Sequence, residues 1–318
     1  MKPVPEQSSS PPPAAVPLPL LINRRSRRGQ EQFQAALDAL EGAGVAVRVL
    51  GPAGSQAHAG ELIDAEVRAG APAIIVGGGD GTLSAAAGRL AGSGTALGVL
   101  PLGTGNTFAR SLGLPLDLAG AAGVIAGRSV QSVDLGRVNG RVFLNSVALG
   151  LSAELARRLG PQTKRRLGLL AWPLMGARLL WRHPPLALRV TPLGGPQPPR
   201  SRTLHTHQLV VVNGRYLAGP LVATPSASLQ DGQLNVLALG GVSLASLLGS
   251  ALGWALTGRS RQPGAWLLAD RALRVESRRG PVRVSVDGEV LRLETLTLTL
   301  ERRALRVIVP PGFVASEV

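Results

Sequence analysis

The chain has 318 residues, 45% hydrophobic but only 3% aromatic, and no cysteine. That excludes disulfides, thiolate metal centres and thiol catalysis, and leaves Leu, Val and Ala to build the core. Its 34 Lys and Arg against 19 acids give a net charge of +15, carried almost wholly by arginine since only Lys2 and Lys164 are lysines; such a field attracts polyanions, among them nucleotides and anionic membranes.

In chain order, residues 1–16 form a Pro/Ser-rich lead, expected to be disordered and lacking the apolar run of a signal peptide. From 17 to 132 apolar runs alternate with helix-like segments. LPLLI precedes GQEQFQAALDALEGAG, where Phe33, Ala36, Leu37 and Leu40 fall at helical spacing. VAVRVL precedes AGELIDAEVRAG, with Leu62, Ile63 and Val67 on one face, while AIIV and ALGVL each run into a glycine-rich turn and a helix. Strand–helix alternation predicts a Rossmann-like parallel sheet, an α/β nucleotide-binding domain.

From 133 to 301 the period changes to two. GRVNGRVF, LVVVNGRY and SVDGEVL place Asn139-Gly140, Asn213-Gly214 and Asp287-Gly288 between alternating apolar residues, which predicts three hairpin turns in an antiparallel, β-sandwich-like domain. Residues 302–318 are free to return to the first domain. The proline-rich 191–202 reads as a surface loop. Uncharged 232–258 splits at Gly240-Gly241 into a strand and an apolar helix of about 24 Å, shorter than the roughly 30 Å of bilayer hydrocarbon. Residues 164–183, with arginines around Leu, Trp and Met, suit either a core-facing helix or one lying on an anionic membrane. His205 and His207 are expected to face solvent, since two imidazoles without a third ligand make a poor zinc site. Nucleic acid is not an expected partner, because the few aromatics form no stacking platform.

The glycine turns carry the chemistry. No lysine follows a glycine, which excludes a P-loop, and neither turn has the G-x-G-x-x-G array. What remains is GGGDGT (77–82) and PLGTGNTFAR (101–110), each leaving a strand. Neighbouring parallel strands end on one sheet edge, where backbone N–H groups and helix N-termini bind phosphate.

Those two motifs, with VDLGRVNGRVFLNSVALGLSAEL, VVNGRYLAGPLVATPSASLQDGQLNVL and VSVDGEVL following in order, resemble the diacylglycerol kinase catalytic-domain family, soluble lipid kinases related to sphingosine kinases and distantly to NAD kinases. The resemblance runs from about residue 18 to 313 and implies an ATP- and Mg²⁺-dependent lipid kinase with its site in an interdomain cleft. By that resemblance Asn23, Gly77, Gly78, Gly79, Asp80, Gly81, Thr82, Gly103, Thr104, Gly105 and Asn106 hold the nucleotide, with Asp80 acting through Mg²⁺. Asp287 takes the lipid hydroxyl proton, with Glu289 in reserve. Asp231, with main-chain oxygens at Ser228 and Gln233, makes a structural Mg²⁺ site.

The resemblance also implies a cytoplasmic enzyme that visits an anionic membrane transiently, and it leaves a homodimer open. Diacylglycerol or a long-chain base is the expected acceptor. Two departures stand out: Thr107 replaces a frequent Asp after GTGN, and the first motif reads INRRSRRG, with Arg24 in place of a proline. They keep two alternatives open, a catalytically impaired nucleotide- or lipid-binding relative and, fitting PLGTGN and DGE less well, an NAD kinase.

Overall fold

The structure, a computed structural model, describes residues 16–23, 30–51, 56–151, 185–195, 199–240 and 265–313. The expected lead over 1–16 apart from its last residue, the arginines of the first motif, the 164–183 segment and the apolar helix after Gly241 lie outside these residues.

The first half builds β1 (Leu18–Ile22), α1 (Phe33–Gly42), β2 (Val47–Val49), α2 (Gln56–Arg68), β3 (Ala73–Gly78), α3 (Asp80–Leu90), β4 (Ala96–Pro101), α4 (Thr107–Ser111) and α5 (Leu118–Gly127). The strands pair in parallel in the order β2-β1-β3-β4. β1, β3 and β4 are buried along their whole length, as strands covered on both faces must be. Ala36 and Leu40 of α1 and Ile63 of α2 enter the core, with Phe33, Leu37, Leu62 and Val67 packed on its margin. α5 has no counterpart in the sequence reading; Asp117 caps it by accepting from Gly120 N at 2.7 Å.

The second half is β5 (Val130–Val138), β6 (Arg141–Phe143), β7 (Ser146–Gly150), β8 (Leu186–Pro192), β9 (Arg202–Val212), β10 (Tyr216–Ala218), β11 (Leu221–Val222), β12 (Leu234–Gly240), β13 (Ala265–Asp270), β14 (Ala272–Ser277), β15 (Val282–Val286), β16 (Glu289–Leu293) and β17 (Thr295–Ile308). It is antiparallel, in the order β16-β15-β7-β9-β8-β14-β17, around a second core that includes Phe143, Val211, Leu273, Val284 and Leu298. The lobes are continuous through β17. Its first half pairs with β14, its end meets β4 in parallel at Val307↔Leu97, and β5 follows it on both sides of an irregularity between Glu301 and Leu305. At that break Arg303 takes a positive φ of 51°, and the buried Asp134 carboxylate accepts its N–H at 2.7 Å.

Two of the three expected hairpins form. Asn139 and Gly140 (φ 48° and 81°) turn β5 into β6, and Asp287 and Gly288 (φ 45° and 92°) turn β15 into β16. Positive φ at both central residues suits the right-handed twist of the flanking strands. The third does not: β9 ends at Val212, while β10 pairs with β11 and not with β9. Asn213 is instead buried, its Nδ2 donating to the carbonyls of Asp134 (3.0 Å) and Leu144 (3.2 Å). An amide that satisfies two buried acceptors works as an interior cross-link, so this Asn-Gly pair answers to packing rather than to turn geometry. The 191–202 loop is shorter than expected, since β8 runs to Pro192. His205 is exposed but His207 is half-buried, and no cluster of three or more potential metal-ligating side chains occurs among the described residues.

Asn213→Ala leaves those two carbonyls without donors, and stability should fall by about 1–3 kcal/mol, read as a lower urea midpoint. A midpoint within error of wild type would return Asn213 to an ordinary turn position.

Candidate active site

The site grows from the ends of β3 and β4. Their register aligns Gly77 with Leu100 and Gly78 with Pro101, so both glycine turns leave one edge side by side. Backbone meets backbone there: a Cβ on Gly103 would stand 2.5 Å from Gly79 Cα, a contact only glycine permits. Gly77 and Gly78 do a different job. They are buried in β3, where a Cβ would strike Ile22 and Leu102 or Thr82, so they let the strand end pack rather than face a ligand. Gly81 is exposed with open space beside it, and Thr104 is exposed too. Asn23 Nδ2 donates to Thr82 Oγ1 at 2.9 Å, tying the end of β1 to the first turn of α3. Gly79 caps α3 with no side-chain bond, which leaves N-terminal N–H groups to a ligand.

Asn106 shapes its own loop. In the left-handed region at φ 47°, it accepts from Gly103 N at 2.8 Å and donates to Pro101 O at 3.0 Å, so both ends of its amide are spent. Asp80 caps the neighbouring helix. Its Oδ2 accepts from Thr107 N (3.2 Å), and its Oδ1 accepts from Phe108 N (3.0 Å) and from Asn145 Nδ2 (3.2 Å). A carboxylate has about four acceptor positions, so one remains on Oδ2. That oxygen lies 3.3 Å from where a Gly105 Cβ would be. Residue 105 must stay bare for the space beside this oxygen to remain, and a hard cation with its phosphate ligands fits an unshielded carboxylate oxygen at the rim of a glycine cradle. Thr107, standing where an acid was expected, accepts from Gly219 N at 2.8 Å through Oγ1 and so joins the loop to the β10–β11 connection.

From the other lobe, the β15–β16 turn brings both expected acids. Asp287 accepts from the main-chain N–H of Leu144 (2.6 Å), Asn145 (3.0 Å) and Ser146 (2.9 Å), and it bonds the Ser84 side chain of α3. The residue is half-exposed at the turn, yet its carboxylate is engulfed by these donors. Loss of hydration pushes its carboxyl up, against the downward pull of the N–H groups. Glu289 is exposed and pairs with Arg141 through both oxygens; this bond holds its carboxyl below the usual range. Asp287 and Glu289, Arg137 and Arg141, and Gly81, Ser84 and Gly88 of α3 line one pocket of about 270 Å³ between the lobes.

Asp231, Ser228 and Gln233 do not line it. There the Asp231 carboxylate accepts from the N–H groups of Ser228 (3.0 Å) and Gln233 (2.9 Å), while Gly232 N donates to Asp134 at 2.8 Å. Burial raises the Asp231 carboxyl, and the nearby Asp134 adds to the rise. These contacts anchor the turn on the Asp231 carboxylate through the N–H groups of Ser228 and Gln233, not through the main-chain oxygens expected to face a cation. The sequence reading missed Ser84, Arg141, Asn145 and Gly219 as site residues. Asn145 was legible only as part of the NGRVFLNS block, with nothing local to mark it.

Glycine turns at a parallel-strand edge, facing a second lobe, suit phosphate binding. Residues 17–138 match the diacylglycerol kinase catalytic domain and residues 145–309 the YegS C-terminal NAD kinase beta sandwich-like domain. A Pseudomonas aeruginosa (strain ATCC 15692) protein named "Probable lipid kinase YegS-like" is 34% identical over 303 residues, covering 92% of this chain and 94% of that one. A Klebsiella pneumoniae (strain 342) protein of the same name is 30% identical over 305 residues, covering 93% and 97%. The crystal structure of a diacylglycerol kinase from Bacillus anthracis str. Sterne shares the fold, with a TM-score of 0.74 over 94% of this chain and 98% of that one at 23% identity. The chain belongs to the YegS-like lipid kinase family, which carries the diacylglycerol kinase catalytic domain.

Gly103→Ala forces the two loops apart, and affinity for a fluorescent ATP analogue should drop about tenfold or more while the far-ultraviolet circular dichroism stays unchanged. Unaltered affinity would remove the paired loops from the binding site.

Proposed function

We propose that the protein transfers the γ-phosphoryl group of ATP, with Mg²⁺, to the hydroxyl of a membrane lipid such as diacylglycerol or a long-chain base. The observation that carries this reading is the meeting of Asp80, between two apposed glycine loops, with the acid turn of the opposite lobe, Asn145 bonding both Asp80 and Asp287. Phosphoryl transfer needs positioning and charge neutralisation more than covalent chemistry. The turns at 79–81 and 104–105 offer backbone donors to the phosphates, the Thr82 and Gly103 N–H groups being spent within their loops, with Gly77 and Gly78 behind them as packing glycines. Asn23, Thr82 and Asn106 hold the loops in shape. Mg²⁺, when bound, supplies neutralisation of the charge shared by the phosphoryl oxygens, and the free acceptor position on Asp80 Oδ2 is the ligand for it.

From sequence Asp287 ranks ahead of Glu289 as the base; the hydrogen bonding supports the reverse order. Asp287 accepts three main-chain N–H bonds, which fix its carboxylate in place. It anchors the turn. Glu289 has one partner, Arg141, and faces the pocket, so it is assigned to accept the acyl-glycerol hydroxyl proton as that oxygen attacks phosphorus. The charge of +15 supports transient docking on an anionic membrane.

The test is transfer from radiolabelled ATP to a total lipid extract, with the labelled product identified and Mg²⁺ present or chelated. Glu289→Gln should lose about 10²- to 10⁴-fold in kcat with folding intact; near-wild-type turnover would end the assignment. A second measurement uses the sign of the ion pair. Arg141 favours the charged form of Glu289, so Arg141→Ala should move the acid limb of the kcat/KM profile to higher pH. A limb that stays put means that Glu289 does not titrate in the reaction.

A further inference from the structure

Asn145 stands between the two best-bonded acids of the site. Its side-chain Nδ2 donates to Asp80 Oδ1 at 3.2 Å, and its main-chain N–H donates to Asp287 Oδ1 at 3.0 Å. It is only 3% exposed, and its Oδ1 is buried with no hydrogen-bond partner. The amide cannot turn over to relieve this, because a flipped Oδ1 would face the Asp80 carboxylate and Nδ2 would become a buried donor without an acceptor. Buried acceptors are almost always paired, so an unpaired one in a site calls for a reason. Here the amide orientation that starves Oδ1 is the one that feeds Asp80. Among the described residues, the other recorded donors to Asp80 are the α4 N–H groups of Thr107 and Phe108, from the same lobe.

We infer that Asn145 is a positioning residue: one side chain and its own backbone N–H fix Asp80 and Asp287 relative to each other across the lobe junction, holding Asp80 for the nucleotide–metal complex. The inference rests on the reading of Asp80 as the carboxylate that meets Mg²⁺. It accounts for Asp80 having two differently sourced sets of donors. The α4 N-terminus sets its position against the second glycine loop, and Asn145 sets it against the C-terminal lobe. Losing the second leaves the cradle assembled and the carboxylate held by the α4 N–H groups alone, with no bond to set it against the C-terminal lobe.

The experiment is a double-mutant cycle read by binding of trinitrophenyl-ATP to the full chain, with and without Mg²⁺, alongside thermal unfolding. Asn145→Ala should lose about tenfold of the Mg²⁺-dependent gain in affinity while binding without Mg²⁺ stays near wild type. In an Asp80→Asn background the same change should have no further effect, because the group it acts through is gone. A residue that only supports the fold would lower Tm and leave the Mg²⁺ dependence untouched, or add its effect to that of Asp80→Asn; either result overturns the inference.

The isosteric Asn145→Asp keeps the backbone bond to Asp287 and covers the case in which alanine does not fold. It sets two carboxylates against each other and should lower Tm. Adding Asp80→Asn to it removes one of the two opposed charges and should recover part of the lost Tm without recovering the Mg²⁺ dependence, the reversed bond being offset where the new amide Nδ2 at position 80 meets the Phe108 N–H; no recovery also overturns the inference. If wild type labels no lipid yet the cycle is non-additive, the kinase assignment fails and Asn145 stands. If wild type shows no Mg²⁺-dependent binding at all, both fall.

Discussion

One carboxylate ties the site together. Asp80 opens α3, caps α4 through two N–H bonds, and takes a third bond from Asn145 of the other lobe. An acid at the N-terminus of its own helix already gains from the helix dipole. Here it also satisfies the orphan donors of a second helix, which begins in a left-handed Asn106 with no side-chain cap of its own. The five residues of α4 are too few to persist alone, so the helix exists because Asp80 and the buried Phe108 hold it. The geometry of both glycine loops is therefore slaved to one side chain, and Gly79, Gly103 and Gly105 are bare because backbone or carboxylate approaches them closely.

The acids of the site differ by environment rather than by type. Asp287 and Glu289 sit two residues apart across a tight turn, yet one lies among main-chain donors and the other among solvent and a guanidinium. Main-chain N–H groups arranged around a carboxylate fix its position and consume its lone pairs, which suits an anchor. A side chain with a single ionic partner retains freedom to exchange that partner for a substrate. The same division recurs at 231: a carboxylate collared by Ser228 and Gln233 N–H groups shapes a loop.

Legibility from sequence followed the range of the interactions. The parallel sheet, the two glycine turns and the hairpins at 139–140 and 287–288 are local patterns, written in period and in residues that tolerate positive φ. Asn213-Gly214 carried the same local signal and failed, because the bonds that decide it reach Asp134 and Leu144, 79 and 69 residues away. Asn106 was legible as a site residue but not as one spent on its own loop. Asn145 joins Asp80 across 65 residues, and no short window contains that pairing. α5, LAGAAGVIAG, lacks the polar face that gives a helical period, so only its packing on the sheet reveals it.

The lobes share strands, and this bears on how the cleft works. β17 is hydrogen-bonded within the second lobe before its register break and to the first lobe after it, and β5 follows it across that break. Where two domains meet only through a linker, relative motion is the default expectation. Two continuous strands oppose that, since opening the cleft widely would require the pairing to bend at the 301–305 irregularity. That place is itself pinned: Asp134, buried, accepts the Arg303 N–H on one side and the Gly232 N–H on the other. Breaking either bond would strand a buried charge, at a cost of order 1–3 kcal/mol. Fine adjustment of the cleft then falls to weaker cross-lobe contacts, among them the Asn145–Asp80 and Thr107–Gly219 bonds, each of which ends on one of the two glycine loops. A site framed this way is preorganised by its strands and trimmed by side-chain hydrogen bonds across the lobes, which suits the electrostatic stabilisation of developing charge.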